Sequence, residues 1–329
     1  VESEVLRAPH ILVWGFIGKG NLGDDLFQDA FKALFPHYQF TFTDCITAEQ
    51  VLQADMLWIG GGSLLDGPIV ADMGVQYHSL PVMYIGVGTE TAIHPDHQLM
   101  LYNALLVATR TKDTTFSHPN LMHIPDLVYA LKTDKPSAPV LAKNKILFLP
   151  NAYVVPNHKD QHWKHSAWQF FKSEVAQMLD ECIVEGHQVA FYAMCQNDTI
   201  NDVWAAAEIR NMMCYRAQLS TYQARSYHQA INLFEQFSHV ITQRYHGIVL
   251  AEIAGRPVVS IHHHDKLRGE SSVPYYGLLK RTLKQALNSA TVRTDVPNLS
   301  SFQALITKVS EYLGQPKCAM SGSETTGSL

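Results

Sequence analysis

Apolar residues along the chain fall in short runs, and the runs are separated by segments with a helical apolar face. Residues 10–17 read as a strand and residues 24–35 as a helix that ends near Pro36. Residues 38–43 form the next strand, with Phe40 and Phe42 on one face. Residues 55–59 follow and stop at Gly60-Gly61-Gly62; residues 81–87 end at Gly88; residues 105–109 lead into Arg110. The stretch 132–139 is polar, holds Pro136 and Pro139, and is the linker candidate. A second alternating set comes after it. Residues 145–149, 188–194, 240–242 and 257–261 read as strands, and residues 166–182, 199–213 and 248–254 as helices, the last stopping at Gly255. Strands alternating with helices predict parallel sheets. The expectation is an α/β chain of two doubly wound Rossmann-like domains facing a central cleft. Residues 1–135 form the first domain, residues 136–318 the second and residues 319–329 a disordered tail. From Ser321 onward that tail has no apolar residue before Leu329.

Composition narrows the function classes. The chain has 329 residues, 47% of them hydrophobic and 17% charged, which gives enough material for two cores. A net charge of −5 provides no overall basic field, so nucleic acid is not an expected partner. No apolar run approaches the roughly 20 residues of a membrane helix. The first residues carry Glu2 and Glu4 and show no signal-peptide pattern. The five cysteines are scattered with no C-x-x-C pair and read as reduced thiols, so a cytoplasmic setting is expected.

The densest chemistry lies in the strand–helix–strand of residues 240–266. Arg244-Tyr245-His246-Gly247 comes just after the first strand of this unit, and His262-His263-His264-Asp265-Lys266 after the second. In an open parallel sheet, ligands bind beyond the carboxyl ends of the strands. Guanidiniums and an ammonium there suit an anionic substrate, and a histidine suits proton transfer near neutral pH. Successive strand side chains point to opposite faces, so at most two of the three consecutive histidines share a face. That argues against a metal site and leaves His262 and His264 as cleft-lining candidates. His158, His162, Trp163, His165 and Trp168 form a second His/aromatic group, either a sugar-stacking loop or an exposed one.

A glycine turn opens the chain. Gly18, Gly20 and Gly23 have G-x-G-x-x-G spacing after a strand and before a helix, and Asp44 follows where a dinucleotide fold places its ribose ligand. Asp24 and Asp25 sit on the first turn of that helix, where they would repel a pyrophosphate. Asn21, Asp24 and Asp25 suit sugar hydroxyls better. A simpler reading also stands, in which an aspartate only caps the helix and the glycines only make a tight turn. Gly60-Gly61-Gly62-Ser63 and Gly86-Val87-Gly88-Thr89 are further turns where backbone could approach a ligand.

With these segments in order, the chain resembles the polysaccharide pyruvyl transferase family over residues 10–266. The match runs through Gly18-Lys19-Gly20-Asn21-Leu22-Gly23-Asp24-Asp25, the triple-glycine turn at 55–66, Arg110 to Ser117, Ile124-Pro125-Asp126, and most specifically Arg244-Tyr245-His246, Gly255-Arg256-Pro257 and Asp265-Lys266. Around Arg110 the chain departs from the family's more usual Arg-Asp, and at 125–126 the order is reversed. The resemblance implies a GT-B-like fold, phosphoenolpyruvate as donor and a sugar diol of a glycan or glycan precursor as acceptor. It implies an acceptor side in the first half and a donor side in the second. Carried over by position, His246, Lys266 and Arg110 act on phosphoenolpyruvate; charge then puts Arg244 with Arg110 and Lys266 around the donor's two anionic groups, and a charged imidazole makes His246 the general acid. Asn21, Asp24, Asp25, Gly61, Gly62, His262 and His264 line the acceptor side or cleft. Neither a metal nor a redox cofactor is expected, and peripheral contact with a lipid-linked glycan is compatible with the absence of a spanning segment. The competing readings are a nucleotide-sugar-dependent glycosyltransferase on the same fold, an NAD- or FAD-dependent oxidoreductase built on Gly18, Gly20, Gly23 and Asp44, and a non-catalytic sugar- or phosphate-binding protein.

Overall fold

The computed structural model describes residues 7–88, 92–110, 116–133, 144–152, 161–197, 201–215, 220–223, 226–261 and 287–313. Most of the linker candidate and all of the tail 319–329 lie outside these residues. The first half runs β1 (His10–Trp14), α1 (Leu22–Leu34), β2 (Gln39–Thr43), α2 (Ala48–Gln53), β3 (Met56–Gly62), β4 (Val82–Val87), α3 (Pro95–Asn103), β5 (Leu106–Thr109) and β6 (Leu121–His123). Its strands pair in parallel in the order β2-β1-β3-β4-β5-β6. The second half runs β7 (Lys145–Leu149), α4 (Gln161–Val184), β8 (Gln188–Ala193), α5 (Asp202–Met212), β9 (Ser220–Gln223), α6 (Tyr227–Phe234), β10 (His239–Thr242), α7 (Tyr245–Ile253) and β11 (Val258–Ser260). These strands are also parallel, in the order β11-β10-β7-β8-β9. A last helix, α8, spans Gln303–Leu313.

Both sheets are doubly wound, as the apolar pattern predicts. Strand order reverses between β1 and β3 in the first sheet and between β7 and β10 in the second. The loops after β1 and β10 therefore leave their sheets at switch points, where a parallel sheet opens a crevice. The strands are apolar throughout because both faces are covered: β1, β3, β4 and β7 are buried along nearly their whole length.

The amphipathic helix α1 buries Leu22, Leu26, Phe27, Ala30, Phe31 and Leu34 against the first sheet. Phe31 packs on Trp58 with ring centroids 5.7 Å apart, and Phe40 stacks on Phe42 at 5.6 Å. The triple glycine does not end β3, as the pattern suggested; the strand continues through it to Gly62. A Cβ at Gly60 would sit 2.6 Å from the Phe31 ring, and one at Gly61 2.2 Å from Phe27. Gly61 and Gly62 also have positive φ. These glycines let α1 lie directly on the strand end.

Several elements lie outside the pattern's predictions. The strands β6 and β9 are short, α2 spans only Ala48–Gln53, and α3 leaves Leu99 and Tyr102 exposed. Helix α8 returns to the first half. Its Leu305 and Val309, with Phe302, share an apolar cluster with Leu34 and Tyr129. Lys132 Nζ donates to the Val296 carbonyl at 3.3 Å. Residues 296–313 therefore pack on the first half, although the pattern groups them with the second.

Candidate functional site

The loop after β10 forms one wall of the seam between the halves. Arg244 is the N-cap of α7, and its N–H donates to Thr242 Oγ1 at 2.9 Å. Gly247 lets this helix sit tightly on the sheet, because a Cβ there would be 2.2 Å from Thr242 Oγ1. The first turn of α7 carries His246, which is 9% exposed, toward the first half. Its ring lies edge-on to Phe27 of α1, centroids 5.4 Å apart. A Cβ at Gly23 would fall 2.0 Å from His246 Nδ1. Only a glycine on α1 leaves room for this imidazole.

The other nitrogen, His246 Nε2, is turned toward Asp126, 3.6 Å from its Oδ2. Asp126 is 2% exposed and caps the 3₁₀ turn Leu127–Leu131, accepting from the Val128 N–H at 3.0 Å. The same Oδ2 accepts from Arg110 Nη1 at 2.7 Å. Burial pushes the Asp126 carboxyl up, but His246, Arg110 and the Val128 N–H outweigh that and hold it well below the usual carboxylate range. Arg110 leaves the end of β5 and is itself buried. Its Nη2 donates to Ser63 Oγ at 3.2 Å, just past the triple glycine, and its Cζ lies 4.9 Å from the centroid of the Tyr245 ring.

Arg244 has its own carboxylate. It forms an ion pair with Asp202, whose side chain is fully buried. Asp202 Oδ2 also accepts from the N–H groups of Met194 (3.1 Å) and Cys195 (2.9 Å), and Oδ1 from that of Ala152 (3.1 Å). One aspartate thus ties together the ends of β7 and β8 and the N-cap of α7. Burial lowers the affinity of Arg244 for its proton, yet the pair with Asp202 more than offsets this and raises it. Burial pushes the neighbouring Cys195 thiol up to about 11, so it stays protonated at neutral pH.

The glycine turn has a different role from a phosphate cradle. The Gly18 N–H donates to Asp25 Oδ1 at 2.6 Å, and the Lys19 and Gly20 N–H groups also face that carboxylate. The chain's own carboxylate therefore sits where the loop's donors would hold a phosphate. Burial nevertheless raises the Asp25 pKa; those N–H groups oppose the rise and Asp24 adds to it. Gly20 is needed for contact with the second half: a Cβ there would sit 2.8 Å from the Gln196 carbonyl. The Leu22 N–H donates to Met194 O (2.9 Å) and the Gln196 N–H to Gly20 O (2.8 Å). Asp44, the expected ribose ligand of a dinucleotide reading, is ion-paired with Lys19. Asn21 is the N-cap of α1, but its side chain makes no capping bond and instead donates to Asp24 Oδ2 at 2.5 Å. The aspartates are therefore not the helix cap.

The structure thus brings Arg110, His246 and Tyr245 together around Asp126, and sets Asn21, Asp24 and Asp25 beside them on the turn that docks against β8. Gly62 lies near this group, since a Cβ there would be 3.4 Å from Asp24 Oδ1, and Gly61 backs Phe27. Arg256 is buried apart from the cluster and donates to the Glu235 carbonyl at 2.8 Å. Lys266, His262 and His264 lie outside the described residues, as do the side chains of His158, His162, Trp163, His165 and Trp168. Two residues of the cluster were not assigned a role from sequence. Asp126 falls in a stretch that the resemblance matched without giving it a function. Asp202 had no signal beyond a polar residue near a helix start.

Two parallel α/β halves with facing switch points, joined by a buried charged seam, make this a GT-B-like protein. Comparable folds are the Methanocaldococcus jannaschii UDP-GlcNAc 2-epimerase (TM-score 0.57, 9% identity, 92% of this chain and 99% of that one), a Staphylococcus aureus protein, MnaA, in a co-structure with UDP (0.55, 12%, 96% and 100%) and the Anabaena protein HepE in complex with UDP and glucose (0.52, 13%, 93% and 99%). At these identities the likeness shows the fold alone. Within that class, the chain belongs to the polysaccharide pyruvyl transferase family, whose model matches residues 21–265. No curated protein matches the chain at a significant level. Among the described residues, no helix is long and apolar enough to cross a membrane.

Proposed function

We propose that this protein moves the pyruvyl group of phosphoenolpyruvate onto two hydroxyls of a sugar in a glycan or glycan precursor, forming a cyclic ketal and releasing phosphate. The observation that carries this reading is the junction of Arg110, Asp126 and His246 at the seam, in a chain of this family. A guanidinium, which suits an anionic donor, lies there beside an imidazole, which suits proton transfer, one from each half, and that supports this reading.

The donor is a dianion or more, with a phosphate ester and a carboxylate on the same carbon. Guanidiniums bind either group in bidentate fashion and an ammonium acts as a point charge. Arg110, Arg244 and Lys266 take these roles. His246 in its charged form gives a proton to the methylene carbon. The neighbouring carbon becomes electrophilic, and a sugar hydroxyl adds to it with loss of its own proton. The C–O bond to phosphate then breaks, its electron pair leaving with the phosphate, and the second hydroxyl closes the ring on the same carbon, its proton leaving with the phosphate. No oxidation state changes overall, so the chemistry calls for no redox cofactor. Asn21, Asp24 and Asp25, with the backbone at Gly61 and Gly62, supply polar partners for the acceptor hydroxyls on the first-half side. His262 and His264 complete the cleft lining in this reading.

The test is phosphate release from phosphoenolpyruvate across a panel of glycan acceptors, with the ketal product identified by mass. His246→Ala is expected to lower turnover about 10²–10⁴-fold while leaving donor affinity largely intact. Full turnover in that variant would move the acid role to another residue. Transfer from a nucleotide sugar in place of phosphoenolpyruvate would replace this reading with a glycosyltransferase on the same fold.

A further inference from the structure

We propose that Asp126 is a positioning residue that fixes which nitrogen of His246 handles the reacting proton: Nε2 stays bound toward Asp126, and Nδ1, on the Gly23 side, is the acid. The inference rests on the proposed role of His246 and adds a residue and an atom to it.

Three donors converge on Asp126. Oδ1 accepts from the Val128 N–H at 3.0 Å, and Oδ2 accepts from Arg110 Nη1 at 2.7 Å and faces His246 Nε2 at 3.6 Å. The last distance is ion-pair range, a few tenths of an ångström beyond a hydrogen bond, and such contacts commonly tighten when a ligand arrives. His246 Nε2 is buried and has no hydrogen-bond partner. A buried ring nitrogen facing an ionised carboxylate favours carrying its hydrogen there. The lone pair of the neutral ring then belongs to Nδ1.

Nδ1 faces α1 instead. It lies against Gly23, the one position on α1 where a side chain would overlap the ring. Gly23 is flanked by Asn21 and Asp24, the polar groups on the proposed acceptor side. Among the described residues, the charged and titratable groups around the ring are Asp126 and Arg110 from the first half, Asp24 next to Gly23, and Tyr245 on its own helix, edge-on at 5.4 Å. Asp126 is the one whose oxygen points at a ring nitrogen.

The imidazole's own proton count closes over the first addition, and the second hydroxyl's proton leaves with the phosphate. In the charged ring both nitrogens carry hydrogen. The Nδ1 proton goes to the methylene carbon, forming a C–H bond, and the ring is left neutral with hydrogen on Nε2. When the sugar hydroxyl adds, Nδ1 takes its proton back and the charged ring is restored. The carboxylate that sets this state belongs to one half and the imidazole to the other, so the acid is assembled only when the halves meet.

The experiment is ¹⁵N–¹H correlation spectroscopy of protein labelled with ¹⁵N-histidine, with His246 assigned by its loss in His246→Gln. In the wild type, hydrogen is expected on Nε2 of the neutral ring. Asp126→Asn offers a single oxygen to three donors, and hydrogen is expected to shift toward Nδ1, with turnover falling about 10²-fold or more. Asp126→Glu is expected to recover part of both readouts. A wild-type ring with hydrogen on Nδ1 overturns the proposal without any variant, and so does an unchanged ring in folded Asp126→Asn. The spectrum is independent of whether His246 is the acid. Failure of that role would show as full turnover in His246→Ala, with the Nε2 hydrogen still in place.

Discussion

Replacing Gly23 by alanine tests how tightly the site is built. The added methyl would lie 2.0 Å from His246 Nδ1, 2.4 Å from Cγ and 2.8 Å from Cβ. Ordinary contact between such atoms begins near 3.5 Å, so the ring or α1 must give way by about 1.5 Å. Neither moves freely. Phe27 and Asp126 hold the imidazole, and α1 is fixed by Phe27 and Phe31 against the triple glycine. Overpacking of this kind costs about 1–3 kcal/mol, and a better helix former than glycine returns up to about 1 kcal/mol. Net stability should therefore fall by no more than about 3 kcal/mol. Displacing a reacting group by about 1 Å costs roughly 10²-fold in rate. The assay is turnover on phosphoenolpyruvate and the best acceptor of the panel, alongside urea unfolding. Gly67→Ala, where a Cβ meets nothing within 4 Å, is the control and should leave both unchanged. A folded Gly23→Ala protein with turnover within roughly threefold of wild type would mean that the ring position is not what the chemistry uses.

Further predictions concern the charged core and pH. Asp202→Ala removes the partner of a largely buried Arg244 and the acceptor of three backbone N–H groups. It should destabilise the protein by about 3–5 kcal/mol, seen as a lower urea midpoint, and a loss below about 1 kcal/mol would contradict the pairing. His97 is buried between the Tyr84 hydroxyl (3.1 Å) and the Gly67 carbonyl (3.0 Å). Burial lowers its pKa below 6.5, with the Gly67 carbonyl opposing the shift. Because the folded value is the depressed one, this stability is fully present above about pH 6.5 and is lost as the pH falls through the folded value. His97→Gln should flatten the decline in melting temperature between pH 7 and 5; an unchanged slope would assign the decline elsewhere. The depressed Asp126 carboxyl adds a loss of the same sign, but below about pH 4.

The parts of this molecule that were legible in its sequence are those with a local cause. Strands buried on both faces appear as apolar runs, and α1 appears through the period of Leu22, Leu26, Phe27 and Phe31. Arg110 and Arg244 could be placed at strand ends because each directly follows such a run. What could not be read depends on contacts between distant segments. Gly20 has the spacing of a nucleotide turn, but its demand for glycine comes from Gln196 in the other half. Gly23 is required by His246, and nothing near either residue indicates the other. Asp126 and Asp202 are single carboxylates with no period; their meaning comes from the arginines that the fold delivers to them. Helix α8 lies far along the chain from the first half that it covers.

Whether phosphoenolpyruvate is the donor is read most directly from the melting midpoint of the purified protein with phosphoenolpyruvate, inorganic phosphate, UDP-sugars and NAD in parallel. A ligand that binds only the folded state at about 100 times its Kd stabilises by about 2.7 kcal/mol. A rise specific to phosphoenolpyruvate is expected, kept in His246→Ala and lost when Lys266→Ala is combined with Arg244→Ala. No rise with phosphoenolpyruvate and a clear one with a UDP-sugar or NAD would contradict that donor.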